Sequence, residues 1–327
     1  MRLAKFLPVY FAGYKSIIGL SPGLLLPVLF TVAKLQTLRI SKRFFIPLAM
    51  VVFLFIQWLT LDISIENEIA RLVPPLLLFS ISKYIRINLS EICRVIFYMV
   101  VIDTIYRCSL HPNIFHISPF SDQIYSVKNT TSIFFFDSNL TAFYTFFSLI
   151  LVKNNWTRII LLVCLYYTFS RAVYAMFLIY LILICIPEIS QRSRKLLAFV
   201  SFPICIYFAG VVFEVISKDG SGNTKLLIMQ KALDFLQSNW LLGIGSGEFK
   251  NDFILASHTL IGQLGELGIL GITIISSPLL YYLFYSSNKV TYTITAAIVI
   301  GGIFGMYPIA YMGVFFLMLD RVEHRDL

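Results

Sequence analysis

Apolar runs interrupted by Pro, Gly and charged clusters set the rhythm of the chain. Twelve of them read as membrane-spanning helices: 3–19, 24–38, 44–61, 70–85, 91–108, 131–152, 158–170, 172–187, 196–216, 259–285, 290–306 and 308–320. The Leu20-Ser21-Pro22-Gly23 turn separates the first pair. Several spans are short and residues 158–187 also read as one broken helix; the expected count runs from ten to twelve. The pattern predicts an all-α fold, a polytopic integral membrane helical bundle. It forms one membrane domain over 1–327, with no internal repeat and no heptad array.

Two polar interruptions are long. One runs over 109–130 and holds His111 and His116; the other, 217–257, is the largest polar stretch. In the second, Asp219-Gly220-Ser221-Gly222-Asn223 reads as a turn. Leu226, Met229, Leu233 and Leu236 then recur at helical spacing, with Lys225, Lys231 and Asp234 between them. That spacing predicts an amphipathic helix able to lie on a membrane surface.

Composition narrows the class further. The chain is 58% hydrophobic and 13% charged, with a mean hydropathy of +0.82; a soluble chain is roughly 45–50% apolar and about 25% charged. A soluble enzyme, a secreted disulfide scaffold and a disordered tail are excluded. The formal charge of +9 reads as topology rather than as affinity for nucleic acid. Twelve spans put both termini on one side, which then holds 17 of the 26 basic residues and 5 of the 17 acids. That side is cytoplasmic, and 109–130 and 217–257 face outward. Arg2 and Lys5 precede an apolar run with no small-residue cleavage site after it, which reads as an uncleaved first span. The cysteines (Cys93, Cys108, Cys164, Cys185, Cys205) lack paired short spacing and read as packing residues.

Ionisable groups in hydrocarbon mark functional sites. The candidates are Asp137, with Asn139 beside it, Arg171, Glu214 and Glu266, all toward the outer side. All but Glu214 have a plainer reading: Arg171 snorkels, Asp137 and Asn139 cap a helix, and Glu266 bonds a neighbouring helix. In Leu242-Gly243-Ile244-Gly245-Ser246-Gly247 the glycines permit close approach of backbone to a ligand, and exposed N–H groups there suit an anion. His258 shares its side with Arg171, Lys225 and Lys231. Cations suit a phosphate-bearing substrate, and a neutral imidazole suits proton abstraction from a hydroxyl. Together they can displace a diphosphate leaving group with a sugar hydroxyl. No Asp-x-Asp occurs, so no metal–nucleotide-sugar site, no metal and no cofactor are expected.

Three ordered blocks, together spanning about 131–285, resemble the O-antigen polymerase and O-antigen ligase family of bacterial inner membranes. Phe136-Asp137-Ser138-Asn139-Leu140-Thr141-Ala142 is similar to the family's Asp/Pro-Asn-x-x-Ala span start, and Ser170-Arg171-Ala172 to its Ser-Arg-Ala/Gly motif. The third block runs Lys225-x-x-x-Met229-x-x-Ala232, then Asn239-Trp240-Leu241-Leu242-Gly243-Ile244-Gly245, then His258-Thr259 and Glu266-Leu267-Gly268-Ile269-Leu270-Gly271. Here Lys225 stands for the family arginine, Met229 for its tryptophan, Trp240 for its proline and Thr259 for its asparagine. Lys keeps the charge and loses the bidentate fork.

The resemblance implies a metal-independent glycosyltransferase acting on an undecaprenyl-diphosphate-linked oligosaccharide at the periplasmic face. It implies Arg171 and Lys225 as diphosphate ligands and His258 as the group that orients or deprotonates the acceptor hydroxyl. Lys231, Asp137, Asn139, Glu266, Gly243 and Gly245 are the further substrate-binding candidates. The partners expected are the lipid-linked glycan, the bilayer and a chain-length regulator protein. The leading expectation is an O-antigen polymerase; the alternatives are an O-antigen ligase transferring glycan to lipid A-core and a non-enzymatic lipid-linked-glycan flippase. A transporter places charges near the bilayer midplane on broken helices in related halves, whereas the charges here gather at one face.

Overall fold

The computed structural model describes residues 42–61, 66–85, 88–118, 123–128, 132–135, 137–197, 200, 204, 207, 220–249, 259–305, 307 and 312–323. The expected spans 3–19 and 24–38, the uncleaved N-terminal span and most of 196–216 lie outside them, as do Glu214 and His258. Among the described residues the regular structure is helical. The helices are α1 (Phe45–Leu61), α2 (Glu66–Ile81), α3 (Leu89–Leu110), α4 (Ile124–Lys128), α5 (Ser138–Leu151), α6 (Asn155–Tyr166), α7 (Arg171–Cys185), α8 (Gly220–Asn239), α9 (Leu260–Tyr285), α10 (Lys289–Phe304) and α11 (Gly313–Glu323).

Lys42–Leu61 and Leu260–Tyr285 are long and apolar enough to cross a membrane. Twenty residues rise about 30 Å, the thickness of the hydrocarbon core. On α1 the outward stripe is Phe45, Leu48, Val52, Phe55 and Leu59, and on α6 it includes Ile159, Ile160 and Val163. A helix apolar on its exposed side as well as its packed side is built to face lipid rather than water. The protein is a helical membrane protein.

The described chain divides into two compact units, 83–177 and 42–82 with 178–323. In the first, α3, α5 and α6 pack together. α5 is buried almost all round, Asn139 being half-buried at its first turn. The expected span 131–152 is helical only from Ser138, because Asp137 caps the helix by accepting Leu140 N–H at 2.7 Å. Residues 158–187 form two helices broken at 167–170. At the break Phe169 takes a left-handed φ of 51°, held by a ring buried among Ile114, Ile124 and Val127.

In the second unit α9 packs on α1, α8 and α10, and α2 packs on α1 and α11. One end is tied by Arg43, which donates to Asp320 at 3.0 Å and to Ser82 at 3.1 Å and lies over the rings of Phe79 and Tyr281. At the other end Gln57 of α1 donates to the carbonyls of Leu242 at 2.6 Å and Glu266 at 3.0 Å.

The predicted continuous span 259–285 is broken. Gly268 sits at φ 60°, ψ −173° inside α9. The amides of Ile269 and Leu270, which a regular helix would pair with Gly265 and Glu266, donate instead to the carbonyls of Trp240 (2.9 Å) and Leu241 (3.3 Å). The freed carbonyls of Gly265 and Glu266 accept the amides of Ile244 and Gly245, each at 3.1 Å. Two helix bonds are exchanged for four between helix and loop, so the break leaves none of these groups unpaired.

This exchange admits no side chain at its centre. A Cβ on Gly268 would stand 2.4 Å from the Leu241 carbonyl oxygen, and one on Gly243 2.5 Å from that of Glu266. Gly268→Ala is expected to cost roughly 2–4 kcal/mol from positive-φ strain and the clash. The measurement is the melting temperature of the protein in lipid nanodiscs; Ile269→Ala, on the exposed side of the same turn, should leave it close to wild type.

Candidate functional site

The first unit brings two motif blocks together. Ser170, fully buried in the break before α7, donates from Oγ to Asn139 Oδ1 at 2.8 Å. The Asp137-Ser138-Asn139 segment and the Ser170-Arg171-Ala172 segment therefore meet. Arg171 is the first residue of α7, half-buried, with Nη2 donating to the Tyr125 hydroxyl at 3.3 Å. A guanidinium at the positive end of a helix concentrates two sources of positive potential in one place. Asp137 acts as the N-cap of α5, so the capping reading of this residue holds.

Beneath that segment lies a buried network that sequence reasoning missed. Asp103 and Arg107, one turn apart on α3, are both fully buried. Asp103 Oδ1 accepts the amides of Ile133 (2.7 Å) and Phe134 (3.3 Å), and Oδ2 accepts the Thr141 hydroxyl at 3.2 Å. Arg107 donates from Nη2 to Ser132 and, at 3.4 Å, to Thr141. The pair fixes residues 132–135 and the start of α5, and with them Asn139. The available signal was an acid and a base four apart inside the apolar run 91–108.

The second unit holds Lys225, Lys231, Glu266, Gly243 and Gly245. The turn expected at 219–223 is instead the first turn of α8 from Gly220 onward. Ile228, Met229 and Ala232 form its buried face, Ala232 against Gly265 of α9, whereas Leu233, expected on the apolar stripe, is exposed. The packing onto α9 selects that face. Lys225, four residues before Met229, lies half-buried on the same stripe, and Lys231 is half-buried beside it.

Gly243 and Gly245 correct the expectation of a ligand-facing backbone. Gly243 N–H donates to the Asn239 carbonyl at 2.9 Å and Gly245 N–H to that of Glu266 at 3.1 Å, so neither amide is open to an anion. Their glycine character serves the close approach of loop to broken helix. Glu266 is buried; its Oε1 accepts the Phe249 amide at 3.2 Å and its Oε2 lies 3.8 Å from Arg71 Nη2. Arg71 also pairs with Glu68 at 2.6 Å, and Glu68 accepts the Ser246 hydroxyl. Glu68, Arg71 and Gln57 were not singled out from the sequence; Gln57 was the legible one, a lone amide in an apolar run. Thr259, which stands directly after His258, caps α9 by accepting Gly262 N–H at 3.0 Å.

The Asn139–Ser170 bond is the measurable link between the two motifs of the first unit. A double-mutant cycle of Asn139→Ala and Ser170→Ala, read as melting temperature, is expected to show a coupling of roughly 0.5–1.5 kcal/mol.

Residues 156–257 match a protein family described as O-Antigen ligase. No curated protein matches the chain. The matched stretch contains Ser170-Arg171-Ala172, the Lys225, Met229 and Ala232 positions and the glycine loop. Over residues 156–257, then, this helical membrane protein is similar to the O-antigen ligase family.

Proposed function

We propose that the protein is an O-antigen polymerase, a metal-independent glycosyltransferase joining undecaprenyl-diphosphate-linked repeat units at the periplasmic face of the inner membrane. Both termini are cytoplasmic in this reading. The observation that carries it is the Ser170–Asn139 hydrogen bond, which assembles two of the family's motifs at the positive end of α7, where Arg171 begins the helix.

In the proposed reaction Arg171 and Lys225 hold the diphosphate of the donor. His258 takes the proton from the acceptor sugar hydroxyl as its oxygen attacks the anomeric carbon. The bond between that carbon and the diphosphate oxygen breaks, and the electron pair leaves with the diphosphate. Arg171 stabilises that growing charge, an interaction stronger in the transition state than before it. Lys231 adds to the cationic field, Asp137 and Asn139 shape the entry to α5, and Glu266 orders the loop through Phe249.

The description of the matched family favours one second reading, an O-antigen ligase that transfers the finished glycan to lipid A-core. Cells lacking the native gene and expressing Arg171→Ala or His258→Ala separate the two. Loss of a polymerase leaves lipopolysaccharide core bearing a single repeat unit on a gel. Loss of a ligase leaves core without repeats while lipid-linked polymer accumulates. Each variant is expected to lose activity by roughly a hundred-fold or more; an unchanged ladder removes the residue from the mechanism.

A further inference from the structure

Glu68 and Arg71 lie on the first turns of α2, outside the family-matched stretch, and their environment differs from that of the cations above. Glu68 Oε2 receives Arg71 Nη2 and the Ser246 hydroxyl. Its Oε1 makes no hydrogen bond among the described residues and looks toward Gly247, where a Cβ would stand 3.2 Å away. Gly247 has φ +90°, so the space before that oxygen stays clear of a side chain. Arg71 spends Nη2 on Glu68 and Glu266, and its Nη1 is without a partner among the described residues. The Arg71 side chain is 35% exposed and that of Glu68 10%. A free acceptor and a free donor thus stand together at the edge of a buried cluster.

Charge decides what they can take. The open group is a carboxylate oxygen, which can only accept a hydrogen bond and repels a phosphate. Neutral hydroxyls suit it: one donates to Glu68 Oε1, and a neighbouring one accepts from Arg71 Nη1. A sugar ring offers such adjacent hydroxyls. We propose that Glu68 and Arg71, held by Ser246 and Glu266, form a subsite for a sugar ring of the glycan, recognising its hydroxyls and not its phosphates. The assignment rests on the glycosyltransferase reading and gives it a specificity determinant that the motif residues lack.

The test uses the intact protein in nanodiscs. The probe is phosphate-free repeat-unit oligosaccharide, released by mild acid from the lipid-linked precursor of the same cells, and saturation-transfer NMR reads its binding. Glu68→Gln keeps the shape and removes the charge; it is expected to weaken probe binding by roughly ten-fold, the loss of one charge-assisted hydrogen bond. Arg71→Lys is expected to weaken it by a similar factor, and Gln230→Ala, on the exposed side of α8, not at all. Melting temperatures are measured in parallel, since Arg71 pairs with the buried Glu68 and a change to either residue can also lower stability. Wild-type affinity in stably folded Glu68→Gln and Arg71→Lys overturns the subsite, as does a wild-type protein that binds no probe. A ladder lost in Arg171→Ala cells leaves the transfer reading standing in either case; an intact one sinks that reading separately.

Discussion

The exchange of backbone hydrogen bonds at Gly268 organises the second unit. Lipid offers no donors or acceptors, so a membrane helix can be interrupted only where protein supplies replacements for the opened pairs. Residues 240–245 supply all four, and Gln57 adds a donor to the Glu266 carbonyl. The placement of Glu266, Phe249 and Ser246 follows from this one arrangement. The glycines are fixed by it as well: close packing of backbone on backbone leaves no volume for a Cβ at Gly243 or Gly268.

The first unit solves a similar problem with side chains. The turn between α6 and α7 needs a strained Phe169, and a buried aromatic and aliphatic cluster holds it. The segment ahead of α5 has backbone amides to satisfy, and Asp103 accepts two of them. Arg107 keeps that carboxylate in a partly neutralised setting. Removing either charge alone would strand the other in a low-dielectric interior. Arg171 thus starts a helix whose position is settled by buried polar groups on other elements.

Much of the architecture was legible because lipid-facing helices write their length directly into the sequence. Runs such as 44–61 and 290–306 agree with α1 and α10 to within two residues, and the Asp137 cap was readable as an acid before an apolar run. What stayed hidden has a common cause. The start of α8 was disguised because Gly, Ser and Asn favour turns locally, while packing on α9 decides the matter. The break at Gly268 was invisible because its partners lie more than twenty residues upstream, and periodicity sees only neighbours. Asp103, Arg107, Glu68 and Arg71 were overlooked because an isolated charge in a span is conspicuous, whereas paired charges one turn apart look like a solvated helix end. The motif residues carried the family resemblance without revealing that Gly243 and Gly245 are spent on backbone pairing.

The second unit is discontinuous: α1 and α2 come from one stretch, and α8 to α11 from another that begins about a hundred residues later. Ribosomes deliver the early hairpin first, so Gln57 and Arg43 enter the bilayer before Leu242, Glu266 or Asp320 has been made. Glu68 and Arg71, three apart on one helix, can neutralise each other at once and ease the insertion of their own segment. Assembly is therefore obliged to end with a late helix closing onto an early one, and a nascent chain truncated before α9 would carry its polar groups into lipid with nothing to meet them.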